Sequence, residues 1–203
     1  MVEIGREYPD CGFGGHFNSW IMSDNHEPYN SFGNGSAMRV SACGFVGESL
    51  EEVKLLSKIV TEVSHNHPEG LKGAEATAVA IYLARTGKSI EEIKKYITDN
   101  YYDINFTLDE IRDSYRFNET CQETVPQALE AFFESESYED AIRNAISVGG
   151  DSDTLACITG GVAAAYFGIP ESIRYDSLYF FDELQKKILL DFEKRFGTGY
   201  KII

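Results

Sequence analysis

Positive charge is scarce in this chain. Lys plus Arg number 18 against 33 Asp plus Glu, a formal net charge of −15. A field of that sign repels both a phosphate backbone and an anionic lipid surface, so nucleic-acid binding and membrane binding are excluded as general functions. A small phosphate-bearing ligand would need a local offset: backbone N–H groups, an arginine or a divalent cation. The cysteines, Cys11, Cys43, Cys121 and Cys157, are far apart and form no CxxC pair, which argues against a zinc or dithiol motif. Cys121 has no histidine or basic neighbour to activate it, so it is not expected to be a nucleophile. No apolar run reaches membrane length, the nearest being residues 155–167. With no secretion signal at the start, a reducing cytoplasm is the expected compartment. P-loop, GxSxG, internal repeat and low-complexity linker are all missing.

What is present suits a globular core: 203 residues, 43% hydrophobic and 25% charged. One domain is expected, with residues 1–46 as a loop-rich ligand-binding arm and 47–203 as a helical body. In the arm only a short turn at 17–22 reads as helical. The body shows repeated helix starts. Ser49-Leu50-Glu51-Glu52 and Ser89-Ile90-Glu91-Glu92 read as capping boxes, and Thr107-Leu108-Asp109-Glu110 as the opening of a short helix. The spacing predicts helices over 50–63, 70–86 and 89–99, one with Pro126 in its first turn through Phe133, and one over 138–148. A strongly apolar helix over 151–166 ends at Gly168 and Pro170, and a long amphipathic one over 171–196 stops before Gly197. Seven or eight helices with no alternating strand pattern make the chain all-α.

The sharpest chemical signal is Gly149-Gly150-Asp151-Ser152-Asp153-Thr154 at the head of the apolar helix. Asp151, Asp153 and Thr154 form a hard oxygen-donor set suited to Mg²⁺, Mn²⁺ or Ca²⁺. They converge if Asp151 is extended at the N-cap, and the two glycines permit the tight turn this needs. The same residues also read as an ordinary N-cap and first-turn acid. A second signal is Ser31-Phe32-Gly33-Asn34-Gly35-Ser36-Ala37-Met38-Arg39, where successive N–H groups suit an anion nest or a plain turn. Arg39 would add charge to it or pair with an acid. His65 and His67 flank Asn66 between two helices and read either as ligand contacts or as caps. The aromatic, glycine-rich stretch from Tyr8 to Phe17, with Gly14 inside it, reads either as a pocket wall for a planar base or as hydrophobic packing.

Taken in order, four segments resemble the ADP-ribosylglycohydrolase family: residues 8–15, 28–40, 65–70 and 149–154. The resemblance implies a compact orthogonal multi-helix domain of that type. It implies a hydrolase that cleaves the glycosidic bond between ADP-ribose and a protein side chain or small molecule, using one or two Mg²⁺ (or Mn²⁺) ions. Asp151 and Asp153 would be catalytic and, with Thr154, would ligate metal. Gly14, Phe32, Gly33, Asn34, Gly35, Ser36, Met38, His65 and His67 would contact ADP-ribose. The family's Thr-Asp-Asp-Thr run, which supplies the other metal ligands, does not occur here. The expectation is therefore an N-terminally truncated form of impaired activity. Its Ala-rich helix, residues 74–84, would be left exposed and would favour homo-oligomers. An ADP-ribose-binding module without turnover, and a crystallin-like structural protein, are the alternatives.

Overall fold

The computed structural model describes residues 1–197, and every regular element in that range is helical. In chain order they are α1 (Val2–Glu7), α2 (Gly15–Met22), α3 (Gly35–Met38), α4 (Ser41–Val46), α5 (Leu50–Glu62), α6 (Pro68–Arg85) and α7 (Ile90–Asn100). There follow α8 (Leu108–Ile111), α9 (Cys121–Phe133), α10 (Tyr138–Val148), α11 (Ser152–Phe167), α12 (Glu171–Ser177), a 3₁₀ turn (Leu178–Phe180) and α13 (Glu183–Phe196). Within the described residues the one isolated bridge pairs Gly33 with Thr120. None of their helices is long and apolar enough to cross a membrane.

Six of the thirteen α-helices among the described residues start on a side-chain cap. Ser89 and Thr107 each accept a hydrogen bond from the amide three residues on, and Glu92 and Glu110 reach back to complete reciprocal boxes. Ser49 caps α5 through the amide of Glu52, but the Glu52 carboxylate takes the Glu48 amide instead, at 2.8 Å, so that box is not closed. The stretch over 171–196 is broken rather than continuous. Asp182 Oδ1 accepts from Gln185 N at 2.9 Å while Gln185 Oε1 accepts from Asp182 N at 3.1 Å, and this box starts a fresh helix. The arm read as loop-rich carries α1 to α4, which are short and rely on packing. Helix α9 begins at Cys121, well before Pro126, which sits inside it. Its start is pinned from outside: Cys121 N donates to Phe32 O at 3.0 Å, and Asn34 N donates to Glu119 O at 2.7 Å.

Helix α6 is the hub, packed against α3, α4, α5, α7, α9 and α11. The exposed alanine face expected on residues 74–84 is not there. Ala74, Ala76, Ala78 and Ala80 are completely buried and Ala84 nearly so. The alanines lie where α6 meets its neighbours, and their small side chains let those neighbours come close. A Cβ on Gly44 of α4 would sit 2.6 Å from Ala78 O. Apolar exposure lies elsewhere, on Leu55 and Ile59 of α5 and on Tyr175, Tyr179 and Phe180 near the chain's end.

That close approach makes Gly44→Ala a direct probe of the hub. It is expected to lower stability by about 1–3 kcal/mol through overpacking, read as a fall of several degrees in the melting temperature. Gly15→Ala, whose Cβ would meet open space, should stay within about 0.5 kcal/mol of the parent.

Candidate functional site

The turn before α11 uses backbone that other residues resist: Gly149 has φ 80° and Gly150 φ 64°. It delivers Asp151 to the N-cap position, yet the Asp151 side chain caps nothing. Its Oδ2 instead accepts from Asn34 Nδ2 at 2.6 Å, across 117 positions of sequence. Asp153 Oδ1 accepts from the Thr154 amide at 3.0 Å, so this residue does part of the first-turn work read from sequence. Burial pushes the Asp151 carboxyl above its ordinary value, and a hydrogen bond and charge from Asp153 push the same way. Asp153 is held below the usual carboxylate range, first by the hydrogen bond from Asp151. The two acids are therefore close enough to push each other's titration in opposite directions. No lysine or arginine among the described residues contributes to either shift.

This donor set fits a hard cation. Two carboxylates sit together, and the Thr154 side chain beside them hydrogen-bonds Asp151 and makes a long contact of 3.8 Å to Met38 Sδ. Three protein oxygens with water in the remaining positions suit one octahedral Mg²⁺. Among the described residues no group of three or more His, Cys, Asp or Glu converges, so the donors present do not match a pair of ions.

The loop from Ser31 to Arg39 lies against this pair. Asn34 is buried, and its amide also donates to Thr124 Oγ1 at 3.1 Å, so it positions Asp151 from within the protein. Ser36 departs from its reading as a ligand contact. Its hydroxyl is fully buried, 2.9 Å from Gly70 O, 3.0 Å from Gly33 O and 3.2 Å from Cys121 Sγ. The nest is largely closed for the same internal reason: Gly33 N donates to Ser31 Oγ, Asn34 N to Glu119 O and Ser36 N to Gly33 O. Phe32 and Met38 remain exposed on either side of the loop. Met38 leans on α11, where its carbonyl accepts from Cys157 Sγ at 3.3 Å. Cys121 is buried with its thiol pushed up to about 11, first by burial, in keeping with no nucleophilic role.

The two histidines take different parts. His67 is a cap: its Nδ1 accepts from Glu69 N at 3.1 Å, and its ring packs on Phe32 with centroids 5.1 Å apart. His65 is 5% exposed and borders the loop, with Nε2 3.7 Å and 3.6 Å from where Cβ atoms would stand on Gly33 and Gly35. Burial and then the nearby Arg39 charge lower it to about 4, so the ring is neutral at pH 7. Arg39 pairs with no acid among the described residues; its Nη2 donates to Val60 O, Thr61 O and Ser64 Oγ. The Tyr29 ring packs on His65 at 5.8 Å, and Trp20 and Phe17 continue the aromatic series into the arm. A cavity of about 340 Å³ opens there, lined by His16, Ser19, Trp20, Asn25, Glu27 and Tyr29. Gly14 stays in the arm, bonded only within α2 through Asn18 N. Tyr29 and Ser64 carry no site role in the sequence, because their contacts join segments distant along the chain; Arg39 does, as a charge for the loop or a partner for an acid.

Comparison with known proteins places these features. The family model described as ADP-ribosylglycohydrolase matches residues 8–198. The chain is 28% identical to ADP-ribosylhydrolase ARH3 of Gallus gallus, over 77% of this chain and 56% of that protein. It is 26% identical to ARH3 of Homo sapiens, covering 70% and 53% of the two chains. It is also 26% identical to ADP-ribosylarginine hydrolase Tri1 of Pseudomonas putida (strain GB-1), covering 71% and 41%. The chain thus spans about half the length of the curated relatives it matches. A solved structure titled ADP-ribosylglycohydrolase-related protein complex shares the fold, with TM-score 0.65 and 20% identity, covering 86% of this chain and 65% of that one.

His65 generates a pH signature. Its folded-state pKa of about 4 lies below the ordinary 6.5, so between those values the unfolded chain binds more protons and stability rises with pH. The contribution is full above pH 6.5 and disappears as pH falls through about 4. Denaturant unfolding of the parent and His65→Gln at pH 7 and pH 4.5 should show the parent losing more, by on the order of 2 kcal/mol.

Proposed function

The chain belongs to the ADP-ribosylglycohydrolase family, and on that premise we propose that its site recognises ADP-ribose and hydrolyses the glycosidic bond joining it to a protein side chain or small molecule. The observation that carries the reading is the hydrogen bond from Asn34 to Asp151, which brings the ligand-facing loop onto the acidic pair. The names of the relatives, one an ADP-ribosylhydrolase and one an ADP-ribosylarginine hydrolase, support the substrate class.

Asp151, Asp153 and Thr154 would hold Mg²⁺ (or Mn²⁺). When bound, the ion supplies Lewis acidity and a positive charge that offsets the repulsion between an acidic protein and a diphosphate. The chain's own residues do the rest. Asn34 fixes the Asp151 carboxylate by donating to Oδ2. So held, the Asp151 carboxylate would act as a base towards an attacking water. Phe32 and Met38 are exposed apolar flanks that would exclude bulk water from the bond being cleaved.

A second reading, ADP-ribose binding without turnover, is favoured by one observation: only two carboxylates converge among the described residues. Calorimetry with ADP-ribose, with and without Mg²⁺, combined with release of ADP-ribose from ADP-ribosylated arginine or serine, separates the two. Release that depends on Mg²⁺ and falls at least about a hundredfold in Asp151→Asn is the expected outcome. Binding without release selects the second reading. Neither binding nor release would leave the structural role.

A further inference from the structure

His65 is more than nine-tenths buried, and Nε2 is the end of its ring with no hydrogen-bond partner among the described residues. Nε2 faces Gly33 and Gly35, where added Cβ atoms would stand 3.7 Å and 3.6 Å from it. What this nitrogen offers a ligand, a proton or a lone pair, is set at the other end of the ring. There Nδ1 lies 2.8 Å from Ser64 Oγ. Ser64 Oγ lies 2.8 Å from Arg39 Nη2, and a guanidinium can only donate. Arg39 is in turn held in place by the carbonyls of Val60 and Thr61 at the end of α5.

The direction of this chain follows from donor counting. The serine oxygen accepts from a cationic donor, which polarises its own O–H. That single hydrogen then points at Nδ1, whose lone pair accepts it. A neutral imidazole with Nδ1 accepting carries its hydrogen on Nε2. From this geometry we infer that Arg39 and Ser64 are positioning residues that hold His65 as an Nε2–H donor, so that its ring, beside Gly33 and Gly35, offers a proton to an acceptor oxygen of the ligand. That this oxygen belongs to ADP-ribose rests on the reading above; the state of the ring does not. One competing arrangement exists, because the Tyr29 hydroxyl is also within reach of Ser64. If Tyr29 took the serine hydrogen, Nδ1 would carry the proton and Nε2 would seek a donor.

Nitrogen-15 NMR of the full chain, labelled at its four histidines, decides between them without any ligand. The His65 signals are those lost in His65→Gln. A pyrrole-like Nε2 with a pyridine-like Nδ1 at pH 7 is the expected result; the reverse assignment overturns the inference. Ser64→Ala should erode the tautomer preference. Calorimetry with ADP-ribose supplies the second arm. Glutamine can place an N–H where Nε2–H stands and should weaken binding about threefold, whereas asparagine mimics the other nitrogen and should weaken it at least tenfold. Asparagine outperforming glutamine would overturn the inference. Absence of binding by the parent would defeat the functional reading instead, with the NMR result still deciding the tautomer.

Discussion

The hydrogen bond between Asn34 and Asp151 is the constraint on which the site depends. A carboxylate at a helix start has an easy local role, accepting from the helix's own amides. Asp151 is drawn out of that role by a 2.6 Å bond from a buried amide. The same Asn34 amide holds Thr124, and its backbone N–H holds Glu119. One residue therefore fastens the 31–39 loop to the heads of both α9 and α11.

The arrangement sets local stability against chemistry. Two carboxylates sit together at the head of a helix whose Thr154, Leu155, Ile158 and Thr159 are buried, with no nearby lysine or arginine to balance them. Such crowding raises the free energy of the ionised pair. It also creates a place where a hard cation gains more than it would at an isolated aspartate. The half-buried Arg39 follows a different rule: its Nη2 donates to carbonyls at the end of α5, where the helix dipole favours a cation. The acids are thus left for a ligand while the arginine is committed to the scaffold.

The body around the site is built to keep these few atoms in register. The buried alanines of α6 let α4, α9 and α11 approach closely, and Ser36 joins the loop to α6 through Gly70 O. By contrast, α12 and α13 bury no residue, and a Tyr8–Asp182 hydrogen bond of 2.6 Å ties them back to the arm. Rigidity is concentrated where residues from four segments must meet.

Sequence alone determined the elements whose causes are local. The caps at Ser89 and Thr107, the glycine turn at 149–150, the apolar character of α6 and α11, and the family motifs each lie within a few neighbouring residues, so their physics could be read along the chain. Tertiary structure decided the rest. Whether Asp151 capped its helix or faced a site depended on an amide 117 positions away. Whether Ser36 met a ligand or the interior depended on Gly70 and Cys121, and the helices of the arm depended on packing rather than on signals of their own. The state of His65 depended on Arg39 acting through Ser64. Hydrogen bonds and burial act through space, and a one-dimensional pattern records them only where neighbours in the chain are also neighbours in the fold.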